Sequence, residues 1–289
     1  MDELSATLKA REFVNKVNPA AIPASTAAYA DQIGATIKKA YDLGDDEDGF
    51  SAMKPNGNYG ICVNGNQTEE RQRFTVCHEL AHIILGLPSE HTSDPSWSYA
   101  KRTPNEILCD VFAAELLLPY KSFRPLVAEE DCSLAAVDAL ARRFEASVVA
   151  TGSRFATMTA YPCAFVLAER GKVRFSSRST KMREARAWIS NRMDLPDGSV
   201  AKRRREGEIG VGPEEVDPGI WFEDWDRNGV CFEDARHVTK YDQTIALLWF
   251  EDEDLAPAGV ERQQREEDEF GLAELDGILP WPGKSRRRR

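Results

Sequence analysis

Only four histidines occur in this chain of 289 residues, and two of them, His78 and His82, stand four apart. On a helix that spacing turns both imidazoles to one face, where a zinc ion can sit ~2.0–2.1 Å from each ring nitrogen. Glu79 follows the first histidine, in Cys77-His78-Glu79-Leu80-Ala81-His82. Its one-residue offset keeps the carboxylate beside the metal's open position rather than on the metal. There it can take a proton from a water that the metal acidifies. Val76, Leu80, Ile83 and Ile84 fall on the other faces and bury the helix. The competing explanation is a chance pairing on an amphipathic helix, and the scarcity of histidine weighs against it.

Such a metal needs a third protein ligand. Glu106 and Asp110, in Glu106-Ile107-Leu108-Cys109-Asp110, are also four apart. Glu106 can bind the metal, and Asp110 can accept the N–H of a ligand imidazole and fix its orientation. A rival reading makes Thr103-Pro104-Asn105-Glu106 a capping box, with Glu106 serving only the helix start. Glu115 is a further carboxylate, on a strongly apolar turn. Cys77 is expected to pack in the core. Cys109 could lie near the site, with a redox role as an open alternative. His91 and His237 read as surface or loop histidines.

The elements that must position these residues can be traced along the chain. Residues 3–17 and 24–40 read as helices, the second with Ala27, Tyr29, Ala30, Ile33 and Ile37 as its apolar stripe. Residues 45–49 form an acidic turn. Phe50–Met53 and Tyr59–Val63 read as a hairpin about Pro55-Asn56-Gly57-Asn58. Residues 68–86 form the site helix, with Glu69 and Glu70 in its first turn and Gly86 then Pro88 as its stop. A polar loop with Trp97 and Tyr99 leads to a helix from Thr103-Pro104 to Leu118. Ser133–Phe144, a turn at Glu145-Ala146 and a helix capped by Ser147 make a helix-turn-helix pattern. Ala164–Leu167, Val173–Phe175, Gly219–Phe222, Val230–Phe232 and Thr244–Phe250 read as strands, and Lys181–Arg192 as a helix.

The expected fold class is α+β: a mainly helical zincin-like peptidase domain with a small sheet (1–120), a helix-turn-helix segment (121–160), an α+β domain (161–250) and a flexible charged tail (251–289). Length alone suits two or three domains.

Composition narrows the function. No apolar run approaches the ~20 residues of a membrane helix, and the first residues lack the basic start and apolar stretch of a signal peptide. A cytoplasmic protein is the expectation. The six cysteines form no Cys-x-x-Cys pair, which speaks against a disulfide framework or a thiolate zinc site. The net charge is −11. Residues 1–120 carry 10 basic and 17 acidic side chains, hence −7, whereas residues 121–160 carry 5 of each and residues 161–250 carry 15 of each. An acidic first domain and a neutral helix-turn-helix are poor phosphate binders, so direct DNA binding is not expected. Residues 170–205 do hold twelve Lys or Arg against three acids, but eight acids between Glu206 and Asp226 offer internal partners.

Taken together, Arg71-Gln72-Arg73-Phe74-Thr75, His78-Glu79-Leu80-Ala81-His82 and the run from Glu106 and Asp110 to Phe112-Ala113-Ala114-Glu115-Leu116-Leu117-Leu118-Pro119 resemble the ImmA/IrrE family of zinc metallopeptidases. The likeness spans residues 20–158 and includes Ala30-Asp31-Gln32-Ile33-Gly34 and Ile61-Cys62-Val63-Asn64. Where the family usually has a small residue and Asn, this chain has Cys109 and Asp110. The order peptidase, helix-turn-helix, α+β domain is similar to the IrrE branch, whose third domain is GAF-like. The resemblance implies zinc, with Mn(2+) or another divalent metal in the cell as an open alternative. It implies cleavage of a repressor of the XRE helix-turn-helix type, after DNA damage or during mobile-element induction. The helix-turn-helix then serves partner recognition.

Two other classes compete with this regulatory protease. One is a DNA-binding transcription regulator that uses Ser133–Met158 and a structural zinc. The other is a toxin–antitoxin partner module with a degenerate site, which intact His78, Glu79 and His82 argue against. Residues 161–250 hold Trp188, Trp221, Trp225 and Trp249 among basic side chains. That combination suits a flat or anionic small-molecule or nucleic-acid signal, or the tryptophans simply fill a core.

Overall fold

The computed structural model describes residues 1–17, 22–44, 47–88, 103–223, 225, 227, 229–250 and 255. His91, the loop with Trp97 and Tyr99, the centre of the acidic turn and all but one residue of the tail lie outside them.

Helix α1 (Glu3–Val17) packs on the later helix α4 (Pro104–Leu117). The expected helix over residues 24–40 is a shorter one, α2 (Thr26–Gln32), followed by strand β1 (Thr36–Ala40). Gly34 breaks it by adopting φ +68°, which a residue without Cβ takes at no steric cost. The chain then runs as β1 parallel to β3 (Tyr59–Asn64), with Thr36 opposite Gly60 and Ala40 opposite Asn64. The hairpin is as expected: β2 (Gly49–Met53) pairs antiparallel with β3, Ser51 opposite Ile61. Sheet order is β1-β3-β2, which leaves β2 on an edge.

Helix α3 (Glu69–Leu85) lies against this sheet. Thr68 caps its start by accepting from Arg71 N at 3.3 Å, and Gly86 ends it in the left-handed region at φ 64°. Cys77, Leu80 and Ala81 of α3 join Cys109, Phe112, Ala113 and Leu116 of α4 in the main core. A short helix that the sequence pattern does not announce, α5 (Tyr120–Val127), follows Pro119. Helices α6 (Leu134–Phe144) and α7 (Val148–Met158) are joined by a tight turn in which Glu145 has φ 50°.

The second sheet is antiparallel. Its strands are β4 (Cys163–Glu169), β5 (Lys172–Arg178), β6 (Glu214–Val216), β7 (Cys231–Val238) and β8 (Gln243–Trp249), in the order β5-β4-β8-β7-β6. Three expectations change here. The helix over 181–192 shrinks to α8 (Thr180–Glu184), because Arg186 and Arg192 turn to positive φ. Residues 192–195 then hydrogen-bond alongside β5, as in Arg192 N to Val173 O at 2.8 Å. Gly219–Phe222 is not a strand. Pro218–Ile220 is a 3-10 turn capped by Asp217, and Trp221 and Phe222 are apolar because they fill a core. Helix α9 (Val200–Arg205) and β6 were not foreseen.

This sheet separates two cores. Cys163, Phe165, Leu167, Ile245, Leu247 and Trp249 face the main core with α6 and α7. Ala164, Val166, Ala168, Ala246, Leu248 and Phe250 face a second core with Trp221, Phe222 and Val200. The expected boundary near residue 160 therefore runs through packed side chains. Helix α7 lies on β4 and β5 so closely that a Cβ on Gly152 would fall 2.3 Å from the Phe165 ring. Strand β7 reaches α6 twice: Asp234 Oδ2 accepts from Leu134 N at 2.9 Å, and Arg236 grips Asp138 with two bonds of 2.8 and 2.9 Å.

Candidate metal centre

His78 and His82 lie one turn apart on α3 with their Nε2 atoms 3.1 Å from each other. Glu106, in the first turn of α4, reaches both: Oε2 is 3.0 Å from His78 Nε2 and Oε1 is 3.4 Å from His82 Nε2. Tetrahedral ligands ~2.0–2.1 Å from one metal stand about 3.3 Å apart. The three side chains are thus already at the separation of a metal's ligands, and among the described residues they form the one such group.

Proton bookkeeping points the same way. His78 Nδ1 is 3.0 Å from Asp110 Oδ1, and His82 Nδ1 is 3.2 Å from Leu87 O. A carboxylate and a carbonyl only accept, so each neutral ring carries its proton on Nδ1 and presents a lone pair at Nε2. Two lone pairs and a carboxylate then converge on one point, which suits a cation.

Thr103 Oγ1 does accept from Glu106 N, at 3.5 Å, so the helix start is capped. The Glu106 carboxylate itself is spent on the histidines, and the capping-box alternative accounts for only half of what this residue does.

Glu79 is 1% exposed, and its Oε2 accepts from Ser51 Oγ on β2 at 2.7 Å. Ser51 was not picked out from the sequence, where nothing marks it. Its position follows from the way β2 crosses α3. Arg71, Thr75 and Glu79 are spaced by four and make one ridge of the helix. Arg71 holds Asp48 with a bidentate ion pair, one arm 2.9 Å long. Thr75 packs on Gly49, where an added Cβ would meet Thr75 Cγ2 at 2.8 Å and Cys62 O at 2.4 Å. Ser51, two residues on and on the same face of the strand, meets Glu79.

The remaining candidates stand elsewhere. Glu115 is buried in an ionic cluster with Arg11 at 3.3 Å and with Arg154, and it also accepts from Tyr120 N at 2.8 Å. His237 bonds Thr244 across the β7–β8 hairpin at 2.9 Å. Cys77 and Cys109 are fully buried. Burial pushes both thiols up to about 12, aided at Cys109 by the nearby carboxylates of Glu106 and Glu79. Both side chains pack within the main core.

Residues 30–156 match the family model of the IrrE N-terminal-like domain, Peptidase_M78. Two relatives bear the name radiation response metalloprotease IrrE. That of Deinococcus deserti is 31% identical over 110 residues, which are 37% of this chain and 39% of the relative. That of Deinococcus radiodurans is 29% identical over 115 residues, 39% of this chain and 35% of the relative. The matches thus span well under half of those proteins. A Mycobacterium tuberculosis transcriptional regulator has a similar fold, with a TM-score of 0.55 over 85% of this chain and 75% of its own, at 14% identity.

Proposed function

We propose, on the premise that residues 30–156 are a domain of the ImmA/IrrE metallopeptidase family, that this chain is a zinc-dependent regulatory endopeptidase whose substrate is an XRE-type helix-turn-helix repressor. In this reading His78, His82 and Glu106 hold the zinc, Asp110 orients His78, and Glu79 is the general base. The observation that carries it is the convergence of two imidazole lone pairs and one carboxylate beside a second, buried carboxylate.

Bound zinc would supply Lewis acidity, polarising the scissile carbonyl and acidifying the attacking water. Glu79 does the proton work. Its carboxylate, held at Oε2 by Ser51, takes the proton and passes it to the leaving amine. Exclusion of solvent around a side chain 1% exposed strengthens that hydrogen-bonded exchange.

The burial of helix α7 favours this reading over a DNA-binding regulator. As the second helix of the α6–α7 pair it would have to enter a major groove. Its Thr151, Gly152, Phe155 and Ala156 are buried, Ser153 Oγ lies 2.6 Å from Ser177 Oγ on β5, and Arg154 is committed to Glu115. Thr157 alone is well exposed along Val148–Met158. The basic run at 202–205 is likewise engaged: Arg203 and Arg204 pair with Glu208 and Glu214, and Arg205 with Asp242.

The antiparallel order β5-β4-β8-β7-β6 supports a GAF-like third unit that receives the activating signal. Trp221 and Trp225 pack in the second core and Trp249 in the main one, so of the four tryptophans Trp188, 52% exposed with Arg178 over its ring, is the one placed to meet a ligand. No helix among the described residues is long and apolar enough to cross a membrane, in keeping with a cytoplasmic site of action. Incubation of the zinc-loaded chain with co-encoded XRE-type repressors, followed by mass spectrometry of the products, tests the proposal. A single internal cut that Glu79→Gln abolishes is expected. Intact repressor with every candidate would overturn the substrate assignment.

A further inference from the structure

We propose that Ser51 is a positioning residue for the catalytic base, fixing the orientation of the Glu79 carboxylate through its bond to one oxygen. This rests on the peptidase reading above.

Three observations carry it. First, the contact is short and direct, 2.7 Å from Ser51 Oγ to Glu79 Oε2. Second, it is built rather than incidental. Two further contacts, Asp48 with Arg71 and Gly49 against Thr75, fix β2 along the same ridge of α3 that ends in Glu79. Small shifts of the strand are resisted at Gly49, where β2 and α3 approach too closely to admit a Cβ. Third, Glu79 is almost wholly buried, so the direction of its carboxylate is set by protein partners rather than by bulk water. A carboxylate turned about its last torsion can offer either oxygen to the site, since that torsion is broad. A hydrogen bond to a fixed strand narrows it. A hydroxyl suits the role because it can both donate and accept, and so keeps a bond to Glu79 while the base carries the proton in transit.

The alternative is that Ser51 merely satisfies a buried oxygen without steering it. Four full-length, zinc-loaded proteins separate the two: wild type, Ser51→Ala, Ser51→Thr and Ser51→Val. Threonine and valine are nearly isosteric and both favour a strand, so they differ chiefly in the hydroxyl even if the alanine variant folds poorly. Zinc content should be equal in all four. In crystal structures, Glu79 should hold one orientation in wild type and Ser51→Thr, and turn or split in Ser51→Val. With a quenched fluorescent peptide mixture as the probe, kcat should fall about tenfold to a hundredfold in Ser51→Val, as misplaced catalytic groups do, while KM stays within about twofold. Ser51→Thr should recover most of the rate. Glu79 unmoved in Ser51→Val, or free of Ser51 in the wild-type zinc form, would overturn the proposal. A wild type that binds zinc but cleaves nothing would defeat the peptidase reading instead, and the Glu79 orientations would still decide the role of Ser51.

Discussion

His78 Nδ1 on α3 and Asp110 Oδ1 on α4 stand 3.0 Å apart. This bond fixes a tautomer. It obliges His78 to turn a lone pair, not a proton, toward Glu106 and His82, and the Leu87 carbonyl does the same for His82. Asp110→Ala should therefore weaken zinc binding about 10–100-fold, the usual cost of losing such a partner. Asp110→Asn keeps an acceptor oxygen and should lose less. Competition against a chromogenic chelator measures both, and equal affinity in Asp110→Ala and wild type would sink the assignment.

The base and the ligand should separate cleanly. Glu79→Gln removes a proton acceptor that is not one of the His78, His82 and Glu106 group, so zinc should stay while cleavage falls about 10²–10⁴-fold. Glu106→Gln leaves the Thr103 cap in place but puts a neutral amide between two imidazoles. Its zinc affinity should drop with little change in helix content. Metal analysis and circular dichroism read the two effects, and tight zinc binding by Glu106→Gln would place the third ligand elsewhere.

Thiol chemistry offers an independent check on the core. Burial raises Cys77 and Cys109 to about 12. At pH 8 a thiol of that kind is ionised to roughly one part in 10⁴, and the thiolate is the reactive form. Raising the pH toward 12 increases that fraction, so any labelling should grow with pH. Under native conditions an alkylating reagent should reach Cys62 first, since it alone of the six is partly exposed. All six should react once the chain is unfolded. Rapid native labelling of Cys109 would contradict its burial.

The convergence of His78, His82 and Glu106 was legible in the sequence because it is written in helical period. His78 and His82, and Glu106 and Asp110, are pairs at four-residue spacing on helices whose caps, Thr68, Gly86 and Thr103, are themselves local signals. Two pairs of that kind need only one contact between helices to assemble. Ser51 was not legible, because it meets Glu79 through the register of a hairpin against a helix 28 residues away. Strand β1 was misread for a related reason. Its five residues carry little pattern, and pairing with β3 decides their conformation. Trp221 and Phe222 looked like a strand because core-filling side chains are apolar whatever backbone carries them.

Glu115 shows the same limit at a charge. It is buried to 1% exposure between Arg11, Arg154 and Tyr120 N, and so ties α1, α4, α5 and α7 together. Removing one partner of a buried pair leaves an uncompensated charge, at a cost of about 3–5 kcal/mol. Arg154→Ala should destabilise the protein by an amount of that order, read by urea unfolding. Arg154→Ala combined with Glu115→Gln should recover part of it. An unchanged midpoint in Arg154→Ala would mean that Arg11 alone balances Glu115.

Truncation bears on how the α+β unit could govern the site. The sequence pattern invites a cut near Met158, after which the peptidase should keep its zinc and lose signal-dependent control, cleaving constitutively or not at all. The packing predicts otherwise. Phe155 and Gly152 of α7 lie against Phe165, and Leu167, Ile245, Leu247 and Trp249 continue the same core. A chain ending at Met158 would expose that whole face of α7, and Asp234 and Arg236 would no longer hold α6. It should be poorly soluble, or bind zinc with a lowered melting temperature. A milder change asks the regulatory question better. Arg236→Ala cuts the grip of β7 on Asp138, whose partner is 44% exposed, and leaves the core intact. If the α+β unit acts on the site through α6, this variant should cleave its repressor at an altered basal rate while zinc content stays constant. Full signal response and an unaltered basal rate would show that this contact carries no regulation.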